Sequence, residues 1–358
     1  MRPPEHDTLA GQALRQSVRA ALRMPAALAR RIFGEPPRND RGAPLDFQTH
    51  LLLRIMEQAG APDLHEVGPE EARQIYDRAN RLFDLDPLSM HSVEDITIPG
   101  PAGDLPGRIY RPRKGALPGC VFFHGGGFVI GSHDSYEGFC SALAKGADCA
   151  VISVGYRLAP ECPFPAAIAD CRAGFEWVRE QSRELGLMGE QIVVAGDSAG
   201  GNLATVVCQQ QAEEGRPLPA HQLLIYPKTD YGDAFQSRKL FAQGFLLTQD
   251  MIDWFNHCYG ADDDDPRCSP NRYDDLSILP PATVITAGFD PLRDEGETYA
   301  QRMAQAGVDV TYYCCDRLIH GFITQGGVVD AAAAAVADLA EEFGRCLRAE
   351  MPKRRESR

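Results

Sequence analysis

The apolar run Ile192-Val193-Val194-Ala195 leads into Gly196-Asp197-Ser198-Ala199-Gly200-Gly201, and a helix-like stretch, 202–214, comes directly after it. Strand, sharp turn and helix within so few residues leave few folds open. The turn has the form G-x-S-x-G, a nucleophile elbow when it joins a strand to a helix. A serine on such a bend occupies a strained conformation, and side chains larger than hydrogen beside it would collide.

A serine hydroxyl is a weak nucleophile at neutral pH and needs a base, which in turn needs an orienting carboxylate. Both are found downstream. The run 283–288 reads as a buried strand, and Asp290-Pro291-Leu292 comes next. The run 308–313 reads as the next strand, and the loop beyond carries His320-Gly321-Phe322. The chain order is Ser, Asp, His, as in α/β-hydrolases. Asp294 and Glu295 are rivals to Asp290, but they fall in the next predicted helix and face away. Asp197 is expected to point off the opposite side of the elbow and to brace nearby loops.

Upstream lies His124-Gly125-Gly126-Gly127, after the short apolar run 120–123. Attack of a serine on an acyl carbonyl creates an oxyanion, and backbone N–H groups can approach it closely only where side chains are absent. A phosphate-cradling role is excluded because the glycines lead into no G-K-[ST] pattern.

With these residues in place, the chain resembles the hormone-sensitive-lipase family of carboxylesterases, the bacterial family IV type whose elbow reads G-D-S-A-G-G. The matching stretches are 124–128, Tyr156-Arg157-Leu158-Ala159-Pro160-Glu161, the Ser198 turn, 290–295 and Ile319-His320-Gly321-Phe322. The resemblance covers roughly residues 45–348. It implies an α/β-hydrolase fold: a mostly parallel central sheet flanked by helices, with a helical cap. It implies Ser198, His320 and Asp290 as catalytic residues, and the amides of Gly126, Gly127 and Ala199 as the oxyanion hole. His124 and Gly125 would shape the loop. The implied activity is hydrolysis of short- to medium-chain acyl esters through an acyl-enzyme, with a small-molecule ester as substrate and no cofactor or metal. Relatives often pair through the edge strand at 308–313, which would make a homodimer here. Cys162 departs from the family, where His commonly succeeds the Pro-Glu pair; the change puts local packing in doubt rather than the chemistry.

The net charge of −14 argues against general nucleic-acid binding. No apolar run approaches the roughly 18 residues of a membrane span. The 11 cysteines show no paired C-x-x-C spacing of a zinc site. No apolar signal core opens the chain, so free thiols in a reducing cytoplasm are expected. Cys314-Cys315 are expected to sit inertly at a strand end. Asp262 to Asp265 fit no calcium-loop spacing and read as a solvated turn.

Residues 1–41 read as a basic N-terminal extension. Within 8–34 there are Arg15, Arg19, Arg23, Arg30 and Arg31 and no acidic residue; Leu14, Val18, Ala21, Leu28 and Ile32 recur near helical spacing, broken at Pro25. Three readings compete: a helix docked on the protein's own acidic surface, a helix on an anionic membrane, and a cleaved targeting segment. Pro36 to Gly42 is a linker by composition. Helical patterns near 45–60 and 69–83, with a third at 248–259, assign 42–90 and 227–262 to the cap. The catalytic domain is then 91–226 and 263–350. Strands are predicted at 93–98, 108–110, 120–123, 150–154 and 221–226, besides those above. Helices are predicted at 166–185 and 331–348. Alternating strands and helices argue for a mostly parallel sheet covered on both faces. Two other functions use the same residues differently: an amide or N-acetyl deacetylase with the same triad, and a non-catalytic ligand receptor. The receptor is disfavoured because all three triad residues are present.

Overall fold

The computed structural model describes residues 9–60, 62–232 and 234–349. The first eight residues of the expected extension, Ala61 and Asp233 of the expected cap, and Glu350 lie outside it.

The strands are β1 (Ser92–Gly100), β2 (Gly103–Arg111), β3 (Leu117–Phe123), β4 (Ala150–Val154), β5 (Leu187–Asp197), β6 (Gln222–Ile225), β7 (Ala282–Phe289) and β8 (Val310–Ile319). They form one sheet in the order β1-β2-β4-β3-β5-β6-β7-β8. β1 and β2 make a hairpin, and β2 also pairs antiparallel with β4; every other pairing in the sheet is parallel. The helices are α1 (Leu9–Leu22), α2 (Ala26–Phe33), α3 (Phe47–Ala59), α4 (Pro69–Phe83), α5 (Glu137–Ala147), α6 (Ala166–Glu180), α7 (Ala199–Glu213), α8 (Gln236–Leu240), α9 (Gln249–Tyr259), α10 (Arg293–Gln305) and α11 (Asp330–Ala349). None of them is long and apolar enough to cross a membrane.

Strands β3, β4, β6 and β7 are buried along their whole length, as strands covered on both faces must be. Successive side chains alternate between two cores. Val121, Phe123, Ile152, Val194 and Val284 face Ile168, Leu203 and Tyr299 of α6, α7 and α10. Cys120, Phe122, Val151, Val193 and Ile285 face Phe139 and Leu143 of α5 and Val336 and Phe343 of α11. Each fully buried aliphatic or phenyl side chain contributes about 1.5–3 kcal/mol. The parallel strands β3, β5, β7 and β8 therefore end on one rim of the sheet, immediately before His124, Ser198, Asp290 and His320.

Several boundaries differ from expectation. Helix α7 starts at Ala199 rather than 202, because the glycines that make the elbow tight also begin the helix. β8 starts at Val310 and continues to Ile319, so Cys314 and Cys315 lie inside it rather than at its end. Burial pushes both thiols up to about 12. α5 is an addition to the expected elements. Pro25 does break the N-terminal pattern, standing at the start of α2. α1 lies against acidic neighbours: Arg15 donates to Asp86 at 2.6 Å and to the Asp84 carbonyl, and Arg23 donates to Asp330 at 3.2 Å. The segment 36–42 is a hydrogen-bonded turn rather than a loose linker: Asn39 N–H donates to Ala43 O and Gly42 N–H to Asn39 O, both at 3.0 Å.

Candidate active site

Strand β5 delivers Ser198 in a conformation that L-residues rarely adopt, φ +53°. The strain is held in place by the backbone: Ser198 N–H donates to Ile225 O at 2.9 Å, and Ser198 O accepts from Asn202 and Lys228 at 3.1 Å. The elbow admits no bulk. A Cβ at Gly196 would stand 2.1 Å from Gly200 O, and one at Gly200 would stand 1.9 Å from Phe123 O.

His320 Nε2 lies 2.9 Å from Ser198 Oγ, and His320 Nδ1 lies 2.8 Å from Asp290 Oδ2. A carboxylate oxygen accepts, so Nδ1 carries the proton, and in a neutral imidazole Nε2 is left to accept from the serine hydroxyl. Asp290 is wholly buried, and its second oxygen accepts from Leu292 N–H at 2.8 Å. The rival carboxylates are occupied elsewhere. Asp294 accepts from Ser237 N–H at 2.8 Å, and Glu295 forms a buried pair with Arg238 at 2.7 Å.

The glycine loop leaves β3 at His124 and turns through positive φ at Gly126 (+110°), Gly127 (+60°) and Phe128 (+65°). A Cβ at Gly126 would meet Ile130 O at 2.2 Å, and one at Gly127 would meet the Phe255 ring at 2.2 Å. The amides of Gly126 and Gly127 have no hydrogen-bond partner among the described residues. Ala199 is the first residue of α7, where backbone N–H groups lack intrahelical acceptors and carry the positive end of the helix dipole.

His124 does not join the serine. Its ring is buried and stacked 4.4 Å from Tyr156, and Nδ1 donates to the Gly125 carbonyl at 2.8 Å. Burial pushes this imidazole down to about 4, so it is neutral at physiological pH. Asp197 turns away from Ser198. It accepts from Gly125 N–H at 2.6 Å and from the hydroxyls of Tyr136 and Tyr226 at 3.2 and 3.3 Å. Burial, partly offset by the Gly125 hydrogen bond, pushes its carboxyl up to about 7. Tyr136 is also joined to Tyr76 of α4, hydroxyl to hydroxyl at 2.9 Å. The Tyr226 ring packs 4.5 Å from that of His320.

Arg157 and Glu161 do not pair with each other. Arg157 grips Asp170 through two nitrogens at 2.7 and 2.8 Å, and Glu161 pairs with Arg73 of α4 at 2.6 Å. Cys162 closes a turn, its N–H donating to Leu158 O at 2.9 Å. All eleven cysteines are free thiols. In the acidic run, Asp264 pairs with Arg272 and Asp265 with Arg267.

Tyr76, Tyr136, Tyr226, Arg73 and Phe255 do not stand out in the sequence. Arg73 and Tyr76 share α4, the others lie on separate elements and loops, and no local spacing marks them. The only hints are the position of Tyr226 at a strand end and the cap assignment of the helix carrying Phe255.

Residues 120–324 match the family described as alpha/beta hydrolase fold. The chain is 40% identical over 296 residues to the esterase LipI of Mycobacterium tuberculosis, covering 80% of this chain and 91% of that one. It is 46% identical over 257 residues to the carboxylic ester hydrolase LipN of the same organism, covering 69% and 68%. Among solved structures, an ester-hydrolase from the metagenome of Lake Arreo, complexed with a bipyridine phosphonate derivative, superposes with a TM-score of 0.82. It is 39% identical in sequence, and the match covers 84% of this chain and 98% of that one. The chain belongs to the α/β-hydrolase family, in its hormone-sensitive-lipase-like group of serine ester hydrolases.

Proposed function

We propose that this carboxylesterase cleaves short- to medium-chain acyl esters through an acyl-enzyme on Ser198, with His320 as general base and acid and Asp290 as its orienting carboxylate. The observation that carries the reading is the unbroken relay of 2.9 and 2.8 Å from Ser198 Oγ through the imidazole to Asp290.

His320 Nε2 takes the hydroxyl proton as Oγ attacks the ester carbonyl. Asp290 stabilises the imidazolium that forms. The carbonyl oxygen becomes negative and is met by the amides of Gly126, Gly127 and Ala199, for which main chain without side chains and a helix start are suited. The imidazolium then protonates the departing alcohol. In the second half His320 deprotonates water, which attacks the acyl carbon and frees the acid.

The segments 42–90 and 227–262 act as the cap and set acyl length. Support comes from the packing of Phe255 on Gly127 and from the stack of Phe128 on Tyr259 at 3.9 Å, which bring α9 onto the glycine loop. The test is a chain-length series of nitrophenyl esters on the full chain and on Ser198→Ala. Activity is expected to be highest on short and medium acyl groups. The alanine variant is expected to lose about 10⁶-fold in kcat while melting at the wild-type temperature. Wild-type turnover by Ser198→Ala would end the assignment.

A further inference from the structure

We infer that Asn39, in the turn ahead of α3, is a positioning residue for the catalytic pair: it clamps the bulge that sets Asp290 against His320. The inference rests on the triad reading above.

β7 and β8 carry the acid and the base at their ends, and their ladder is broken just before both. Ala287 pairs with Cys315 and Phe289 with Ile319, so Asp316, Arg317 and Leu318 stand opposite Gly288 alone. Extra residues of this kind bend a strand and re-aim the side chains beyond the bend. The approach is close: a Cβ on Gly288 would lie 2.0 Å from Asp316 O. A bulge also strips carbonyls of their ladder partners, and buried carbonyls require replacements.

The N-terminal turn supplies them. Asn39 Nδ2 donates to Asp316 O at 3.1 Å and to Gly288 O at 3.4 Å. Gly288 O also receives Arg293 Nη1 at 3.2 Å, and that guanidinium is held by Asp40 at 2.6 and 3.0 Å. Asp46 N–H donates to Arg317 O at 2.8 Å. The other end of the Asn39 amide secures the turn itself: Oδ1 accepts from Arg41 N–H at 3.1 Å and from Ala43 N–H at 2.9 Å. Asn39 is buried and uses both amide hydrogens and its oxygen. An amide of this length alone can accept on the turn side and donate to both strands.

The bulge lies a few residues from each catalytic group, so its geometry fixes where Asp290 Oδ2 meets His320 Nδ1. Loosening it misplaces the imidazole without touching substrate. A displacement of about 1 Å at a reacting group costs on the order of 10²-fold in rate.

The experiment compares wild type with Asn39→Ala and Asn39→Asp in the full chain. Asn39→Asp keeps the oxygen that the turn needs and loses the donors to Gly288 and Asp316, so it carries the test even if Asn39→Ala does not fold. Turnover of nitrophenyl acetate is normalised to serine titrated with a reactive phosphonate, which restricts kcat to folded sites. The expected result is a fall in kcat of about 10–100-fold with KM within about twofold. The strongly deshielded proton between His320 and Asp290 should shift or broaden in the proton NMR spectrum. Unchanged kcat and an unchanged proton signal, with only a lowered melting temperature, would reduce Asn39 to a brace and overturn the inference. Ser198→Ala and Asp290→Asn run alongside: activity surviving in Ser198→Ala indicts the triad itself, whereas silent Asn39 variants beside a dead Ser198→Ala indict only the clamp.

Discussion

The Asp197 carboxylate accepts a 2.6 Å hydrogen bond from Gly125 N–H, so the residue before Ser198 holds the glycine loop that carries the proposed oxyanion donors. Ser198 and the glycine loop are thereby fixed to each other through β5. The group is wholly enclosed, with the hydroxyls of Tyr136 and Tyr226 on its other oxygen and the His320 ring nearby.

This arrangement predicts a pH effect on stability. The Asp197 carboxyl is raised from 3.8 to about 7 by burial. Between those values the folded protein holds a proton that the unfolded chain has released. The contribution of this group to stability therefore falls as pH rises through that window and stays low above it. Asp197→Asn does not titrate. Its melting temperature relative to wild type should rise steadily from about pH 4.5 to about pH 8, measured by calorimetry. A constant difference across the range would show that Asp197 is ionised throughout.

Gly127 faces the Phe255 ring with no room between them and a φ of +60°. Alanine there meets two separate obstacles: the ring at 2.2 Å, and the cost of about 1–2 kcal/mol for a left-handed non-glycine residue. Gly127→Ala should lose about 10²–10³ in kcat, as when an oxyanion donor is withdrawn. Adding Phe255→Ala removes the ring but leaves the backbone strain. The double variant should regain part of the loss, never all of it. Full recovery would mean the glycine is required for space alone, and no recovery would mean for conformation alone.

The parts of the site legible in the sequence are those whose chemistry restricts residue type. Ser198, Asp290 and His320, which the fold brings within hydrogen-bond distance of one another, could be picked out as candidates because the proposed chemistry needs those residue types in that order, and the glycines because a side chain cannot be accommodated. Elements with strong local signals are also readable: 150–154 is a strand and 69–83 a helix, introduced by Gly68-Pro69. Helix α5 is hidden because Glu137 to Ala147 shows no one-sided pattern. Gly138, Phe139, Cys140, Ser141, Leu143 and Ala144 are all buried, and a helix covered almost all round has little amphipathic period. The turn at 36–42 is hidden for a different reason. Its composition is that of a linker, and the groups that hold it besides its own local hydrogen bonds lie on Gly288, Arg293 and Asp316, far along the chain. The Tyr76–Tyr136–Asp197–Tyr226 network is likewise assembled by tertiary packing alone.

Arg73 of α4 offers a test of which contacts join the expected cap to the catalytic rim. Its Nε donates to Val129 O at 2.8 Å, and its Nη2 donates to Ala159 O at 2.8 Å and to Glu161 at 2.6 Å. The carbonyls belong to the segment just after the glycine loop and to the next loop, which Ala159 N–H joins to Phe128 O at 2.9 Å. Glu161 is more than half exposed, with a side-chain exposure of 59%. An exposed ion pair is worth about 0–1 kcal/mol, whereas a hydrogen bond from a charged donor to a shielded carbonyl is worth about 1.5–3 kcal/mol. Glu161→Ala should therefore lower stability by under about 1 kcal/mol with turnover unchanged. Arg73→Ala should cost about 2–4 kcal/mol and lower kcat, because Val129 and Ala159 lose the fork that holds the two loops together. Arg73→Lys keeps the charge but cannot reach both carbonyls with planar geometry, so it should fall nearer the alanine variant. Denaturant unfolding of the three variants decides the matter. If Glu161→Ala matched Arg73→Ala in its cost, the salt bridge rather than the carbonyl contacts would be the fastening between α4 and the site.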